Sequence, residues 1–212
     1  FAFDGDADRC LAVDENGELI DGDKILAICG LDMRQRGALQ KDTIVGTVMS
    51  NLGLTKMGQK NSIEILQTAV GDRYVLERMR TDGYNIGGEQ SGHVIFLDHN
   101  TTGDGVLTAI QLLSVMKRSG KKASELARVM EILPQVLVNA RVDNAKKNHY
   151  LEDDVVRRGI EELETEFAQN GRVLIRTSGT EPLVRIMIEG TDIQRMQDAA
   201  QRLADLMEER LQ

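Results

Sequence analysis

Tryptophan is absent from this 212-residue chain, and the other aromatic side chains are few, with four Phe and three Tyr. So few rings leave no platform on which successive nucleic-acid bases could stack. Positive charge is in the minority: 26 Lys and Arg stand against 34 Asp and Glu, a net charge of −8. That balance excludes a general nucleic-acid-binding role, because affinity for phosphate backbones rests on clustered cations. Only two cysteines occur, Cys10 and Cys29, too few for a disulfide framework, so a reducing compartment such as the cytoplasm is expected. No uncharged run approaches the roughly 18 residues that a membrane-spanning helix needs. What remains is ordinary globular usage, with 41% apolar and 28% charged residues, which excludes a disordered or collagen-like chain. The length fits one large or two small domains. The chain opens on Phe1 rather than Met and runs at once into an acidic motif. No basic stretch followed by an apolar run precedes that motif, and further sequence before it is expected.

Periodicity gives an alternating order. Leu11–Val13 reads as a strand, followed by a turn at Glu15-Asn16-Gly17. Asp23–Arg36 is helical, with Ile25, Ile28, Cys29 and Met33 on one face and Gly37 as its stop. Strands are expected at Thr43–Met49, Ile63–Thr68, Tyr84–Ile86 and Val94–Leu97. Helices are expected at Asn51–Gln59, Asp72–Thr81, Ser124–Met130 and Asp104–Lys117, the last with Val106, Ile110 and Leu113 turned inward. This is an α/β layer pattern. Pro134 marks a break, after which a strand (Gln135–Val142), a helix (Leu151–Phe167), two strands (Val173–Arg176 and Val184–Ile188) and a helix (Ile193–Leu211) give a smaller βαββα, α+β domain. The apolar stripe of the last helix, Ile193, Met196, Ala200, Leu203 and Met207, reads as core packing.

Three loops carry chemistry. The first is Asp4-Gly5-Asp6-Ala7-Asp8-Arg9. Three carboxylates at alternate positions repel one another and cannot be buried unpaired, and a divalent cation relieves both problems. Small residues at 5 and 7 let the backbone curl so that all three reach one ion. Oxygen-only ligands point to Mg²⁺ or Ca²⁺ rather than Zn²⁺. An EF-hand is excluded, since the position that needs Gly holds Arg9 and a strand follows instead of a helix. With Asp4, Asp6 and Asp8 as the only protein ligands, other positions stay open to water or phosphate oxygen, which suits Mg²⁺. The competing reading is a solvated acidic turn.

The second loop is Gly87-Gly88-Glu89-Gln90-Ser91-Gly92-His93. Its carboxylate, amide, hydroxyl and imidazole can hydrogen-bond several sugar hydroxyls, although a histidine after a Gly turn is commonly structural. The third is Arg176-Thr177-Ser178-Gly179-Thr180-Glu181-Pro182, with Arg185 beyond. Two guanidinium groups, several hydroxyls and the amides of a Gly turn form a cradle suited to phosphate. Two Ser-x-x-Lys pairs and the Asn100-Thr101-Thr102 sequon lack supporting context.

These three loops, in this order, resemble the α-D-phosphohexomutase superfamily over essentially the whole chain. The resemblance implies residues 1–19 as the tail of domain 2 with the metal loop, 20–132 as a sugar-binding domain 3 and 133–212 as a phosphate-binding domain 4. Domain 3 would be an α/β domain with a mixed sheet and helices on both faces. Gln90, the Gly46-Thr47-Val48-Met49-Ser50-Asn51 run and the 176–182 loop are similar to the bacterial phosphoglucosamine branch. Branches acting on glucose or mannose phosphates more often carry Met at the Gln90 position and a Lys near Gly46.

The activity implied is an isomerisation of glucosamine 6-phosphate and glucosamine 1-phosphate in bacterial amino-sugar metabolism, leading to peptidoglycan precursors. It runs through a phosphoserine and glucosamine 1,6-bisphosphate. Asp4, Asp6 and Asp8 would hold Mg²⁺, and Arg9 would orient the reacting group. Glu89, Ser91 and His93 would grip the sugar, while Arg176, Ser178, Gly179, Thr180 and Arg185 would hold a phosphate. The family's nucleophile sits in a Thr-Ala-Ser-His-Asn-Pro-like loop, a context that none of Ser50, Ser62, Ser91, Ser114, Ser119, Ser124 and Ser178 shares. The chain alone is therefore expected to be inactive and to need the N-terminal domains 1 and 2 as partners. A phosphosugar ligand and a homodimer are further expectations; a membrane partner is not. The alternatives are a phosphomannomutase or phosphoglucomutase, and a non-catalytic module that binds sugar phosphate and Mg²⁺.

Overall fold

Five helices begin where a side chain can take up the free N–H groups of the first turn. Asp21 caps α1 (Gly22–Gln35), Asn51 caps α2 (Leu52–Lys60) and Asp104 caps α4 (Gly105–Ser119). Asp153 caps α6 (Asp154–Phe167) and Asp192 caps α7 (Ile193–Leu211). Gly83, at φ 74°, closes α3 (Asp72–Asp82) in the left-handed conformation that favours glycine. The computed structural model describes residues 1–169 and 171–212. They fall into two units, Phe1–Ile132 and Leu133–Gln212.

The first unit opens with a small antiparallel sheet of β1 (Ala2–Phe3), β2 (Cys10–Val13) and β3 (Leu19–Ile20). Its main sheet runs β5 (Glu64–Thr68), β4 (Thr43–Thr47), β6 (Ile86–Gly88), β7 (Val94–Phe96). β4 is parallel to β5 and β6, whereas β6 and β7 form an antiparallel hairpin, so the sheet is mixed. Alternate residues face opposite sides. Ile44, Ile86, Val94 and Phe96 enter a core with residues of α1, α2, α4 and α5 (Ala123–Ala127). Val45 and Ile95 enter a second core with Val75 and Met79 of α3. Helices therefore cover both faces. Cys10 and Cys29 are buried free thiols.

Helix α4 is rotated from its expected setting. Val106, Ile110 and Leu113 are exposed, and the buried stripe is Gly105, Thr108, Ala109, Leu112 and Val115. The reason lies at its first residue. Gly105 N–H donates to Ala7 O at 2.8 Å, and a Cβ at Gly105 would fall 2.4 Å from Arg9 O. Only glycine allows so close an approach to the loop after β1, so the stripe that begins at Gly105 turns in, with Leu112 and Val115 further along it, and Val106, Ile110 and Leu113 turn out.

The second unit is an antiparallel sheet of order β8 (Gln135–Arg141), β10 (Leu183–Glu189), β9 (Arg172–Thr177). One face packs on α6 and α7 through Val136, Val138, Val184, Ile186 and Ile188. Met196, Ala200, Leu203 and Met207 join that core, while Ile193 at the start of the stripe is exposed.

Candidate functional site

The acidic loop is a hairpin turn. Phe3 pairs with Cys10 across β1 and β2, so residues 4–9 must reverse the chain. The curl comes from Ala7, which adopts φ 57° and donates its N–H to Asp4 O at 3.2 Å. Gly5 is not in the left-handed region, and a Cβ there would meet nothing within 4 Å. The sequence expectation that residues 5 and 7 both bend the loop holds at 7 alone. The turn brings one carboxylate oxygen from each of Asp4, Asp6 and Asp8 within 4.8 Å of the others. Partial desolvation, then the Asp4 and Asp6 carboxylates, push the Asp8 carboxyl above its usual range, while His93 pulls it down. Asp8 Oδ1 is buried without a hydrogen-bond partner among the described residues. Crowded oxygens, mutual repulsion and an unsatisfied buried acceptor fit an oxygen-coordinated divalent cation. Arg9 leans on this cluster, with its Nε 3.7 Å from Asp4 Oδ2.

The 87–93 loop reverses the chain between β6 and β7. Glu89 N–H donates to His93 O at 2.9 Å and Gly92 N–H to Glu89 O at 3.0 Å. Gly92 is required twice over: its φ is 96°, and a Cβ would fall 2.5 Å from Cys10 O. That approach lets Cys10 N–H donate to Gly92 O at 3.0 Å, and Arg9 and His93 form an antiparallel bridge. The acidic and Gly-rich loops are thus joined backbone to backbone. His93 is buried, with Nε2 3.5 Å from Asp8 Oδ2. Ser91 is exposed beside it in sequence, and Glu89 is half-buried. One Glu89 oxygen already accepts Gly71 N–H at 2.9 Å, which fixes the carboxylate against the turn before α3. Gln90 is an anchor: its carbonyl accepts Gly22 N–H at 3.0 Å, and its Nε2 lies 3.4 Å from Asp21 Oδ2.

The third loop joins β9 to β10 in the second unit. The register sets Arg176 directly opposite Arg185. Like charges across a strand pair repel, and an anion between them would relieve the repulsion. Arg185 Nη2 donates to Glu181 at 3.0 Å, whereas Arg176 forms no ion pair among the described residues. Ser178 is buried; its N–H donates to Leu183 O at 2.9 Å and its Oγ accepts Glu181 N–H at 3.2 Å. Gly179 and Thr180 are exposed at the tip, and a Cβ at Gly179 would meet nothing within 4 Å.

Two features escaped the sequence reading. The Gly103-Asp104-Gly105 run backs the acidic loop: a Cβ at Gly103 would lie 2.3 Å from His93 Nε2, and Gly105 binds Ala7 O. Its signal was an Asp two residues after a discounted sequon, immediately before a helix. The other is Lys147, buried beneath the third loop, with Nζ donating to Ser178 O at 3.0 Å and Glu181 O at 3.2 Å.

The chain matches two family models, the phosphoglucomutase/phosphomannomutase alpha/beta/alpha domain III over residues 21–133 and the C-terminal domain over residues 137–206. It is 63% identical to a phosphoglucosamine mutase of Ruminiclostridium cellulolyticum over all of its own length and 47% of that protein. It is 61% identical to one of Acetivibrio thermocellus, covering 99% of this chain and 47% of that protein. The chain thus spans about half the length of the curated relatives it matches. Among solved structures it resembles Aspergillus fumigatus N-acetylphosphoglucosamine mutase in complex with GlcNAc-6P and magnesium. That likeness has a TM-score of 0.77 and 22% identity over 100% of this chain and 48% of that one, and shows the shared fold.

Proposed function

The chain belongs to the phosphoglucomutase/phosphomannomutase family of α-D-phosphohexomutases, and from that premise we propose that it supplies the metal, sugar and phosphate loops of a phosphoglucosamine mutase. The observation that carries the reading is the junction of the first two loops, where His93 Nε2 stands 3.5 Å from Asp8 Oδ2 and the backbones of Arg9 and His93 bridge. A cation site and a set of sugar-binding groups in one place suit phosphoryl transfer to or from a sugar hydroxyl. The amino sugar is favoured by identities of 61% and 63% to relatives named for it.

Asp4, Asp6 and Asp8 would hold Mg²⁺, which neutralises charge on a transferring phosphoryl group. Arg9, beside the cluster, orients the reacting oxygen or phosphate. Glu89, held by Gly71 N–H, presents a fixed acceptor to sugar hydroxyls and exposed Ser91 adds a hydroxyl, whereas His93, expected to grip the sugar, is buried against Asp8 and instead holds the two loops together. Arg176, Arg185 and the exposed Gly179–Thr180 tip bind the phosphate that is not being transferred, with Ser178 holding the turn. That remote binding positions the reacting end.

The phosphoryl donor is a phosphoserine outside these 212 residues. Its P–O bond breaks as a hydroxyl oxygen of bound glucosamine phosphate forms the new one and the hydroxyl proton passes to the freed serine oxygen, giving glucosamine 1,6-bisphosphate. The other phosphoryl group then returns to the serine. The 212-residue chain by itself binds phosphosugar and does not turn it over. We place the enzyme in the bacterial cytoplasm, in keeping with its free buried thiols.

The test is kcat/KM of the full-length gene product for glucosamine 6-phosphate against glucose 6-phosphate in a coupled assay with Mg²⁺. A large preference for the amino sugar is expected. Equal rates, or a preference for glucose 6-phosphate, would remove the amino-sugar assignment.

A further inference from the structure

Lys147 follows β8 in a turn tied by its own N–H to Asp143 O at 3.0 Å. Its neighbour Lys146 is exposed and reaches Gln212 O, an ordinary surface placement. Lys147 instead turns inward and is 8% exposed. Its Nζ donates to Ser178 O at 3.0 Å and to Glu181 O at 3.2 Å, both neutral carbonyls. Among the described residues no carboxylate lies within 4.0 Å of this ammonium. A buried cation without a counter-ion is costly, and Lys147 lies under the loop that joins the strands bearing Arg176 and Arg185.

The carbonyl contacts also have a directional consequence. The Ser178–Gly179 peptide is trans, so its C=O and N–H point opposite ways. With Ser178 O drawn inward to Lys147, Gly179 N–H faces away from Lys147. Gly179 is exposed, and open space lies where its Cβ would be. An outward amide and an uncompensated charge beneath it both favour an anion at the tip.

We propose that Lys147 is the positioning residue of the phosphate loop, drawing the Ser178 and Glu181 carbonyls inward, turning Gly179 N–H outward and supplying a buried charge that a phosphate dianion offsets. The inference rests on the reading of this loop as a phosphate site. It is tested on the 212-residue chain by NMR titration with glucose 6-phosphate, largely a dianion at pH 7.5, and glucose 6-sulfate, a monoanion of similar shape. Wild type is expected to bind the phosphate ester more tightly, with a shift of the Gly179 amide. Lys147→Met should weaken the phosphate ester by about tenfold and the sulfate ester by much less, and Lys147→Arg should restore the preference. Equal weakening of both esters would make Lys147 a mere scaffold and overturn the proposal, as would unchanged phosphate affinity. Should Lys147→Met fail to fold, a Gly179 amide in wild type that does not move on adding glucose 6-phosphate would overturn it. If wild type and Arg176→Ala bind neither ester, the phosphate-loop reading itself falls.

Discussion

His93 Nε2 lies 3.5 Å from Asp8 Oδ2, and this contact ties the buried imidazole of the Gly-rich loop to a carboxylate of the acidic loop that partial desolvation and its acidic neighbours raise above its usual range. The two loops are distant in sequence and share no secondary-structure element. What holds them in register is backbone: Cys10 N–H to Gly92 O, Gly105 N–H to Ala7 O, and glycines at the points of closest approach.

Gly105→Ala tests that support. The added Cβ would lie 2.4 Å from Arg9 O and 2.9 Å from Ala7 O, both backbone atoms that cannot swing away. Overpacking of this kind costs about 1–3 kcal/mol. Chemical denaturation should show that loss, and Mg²⁺ affinity should fall with it. An unchanged denaturation midpoint would contradict the packing described.

The second unit contains a buried ion pair whose loss should be severe. Glu189 is fully buried and pairs with Arg172, with Gln135 donating to the same carboxylate. Removing one partner of a buried pair costs about 3–5 kcal/mol, because the other is left uncompensated. Glu189→Ala should lower stability by that order, and the double variant Arg172→Met with Glu189→Met should recover much of it. A single variant as stable as wild type would contradict the assignment.

Acid stability should depend on Asp32. Burial pushes its carboxyl up, but hydrogen bonds from Arg118 and Arg36, at 2.7 and 2.8 Å, outweigh burial and leave it below the usual range. A carboxylate lowered on folding stabilises above its unfolded value, about 3.9. That contribution fades as pH falls through the folded value. Asp32→Asn should therefore be less stable than wild type at pH 7, with the gap closing below about pH 4. A gap that does not narrow on acidification would contradict this account.

Much of the architecture was legible from apolar spacing: the helical stripes of α1 and α7 and the β-rich runs of β4 and β5 fall where periodicity put them, and Gly37 follows α1 as its stop. Ends moved by one to three residues, as at α1, which starts at Gly22 rather than Asp23, and α6, which starts at Asp154 rather than Leu151. The two-residue strands β1 and β3 were invisible, since neither is long enough to show alternation. The facing of α4 misled, because Val106, Ile110 and Leu113 form an apolar stripe that is exposed, and the inward face is set by backbone approach at Gly105, which side-chain periodicity does not record. At the site, residue types and spacing marked all three loops. Gly92, Gly105 and Lys147 meet backbone carbonyls and Gly103 packs on the His93 ring, so no side-chain pattern announced them.

The most direct test of the account is Mg²⁺ titration of the 212-residue chain and its Asp6→Ala variant by calorimetry. Asp6 is exposed, so its loss should leave the fold intact. Wild type should bind one Mg²⁺ per chain, and Asp6→Ala should weaken binding about tenfold or more, as expected for a lost ligand. Equal affinity in the two proteins would contradict the metal site and return the loop to a solvated acidic turn.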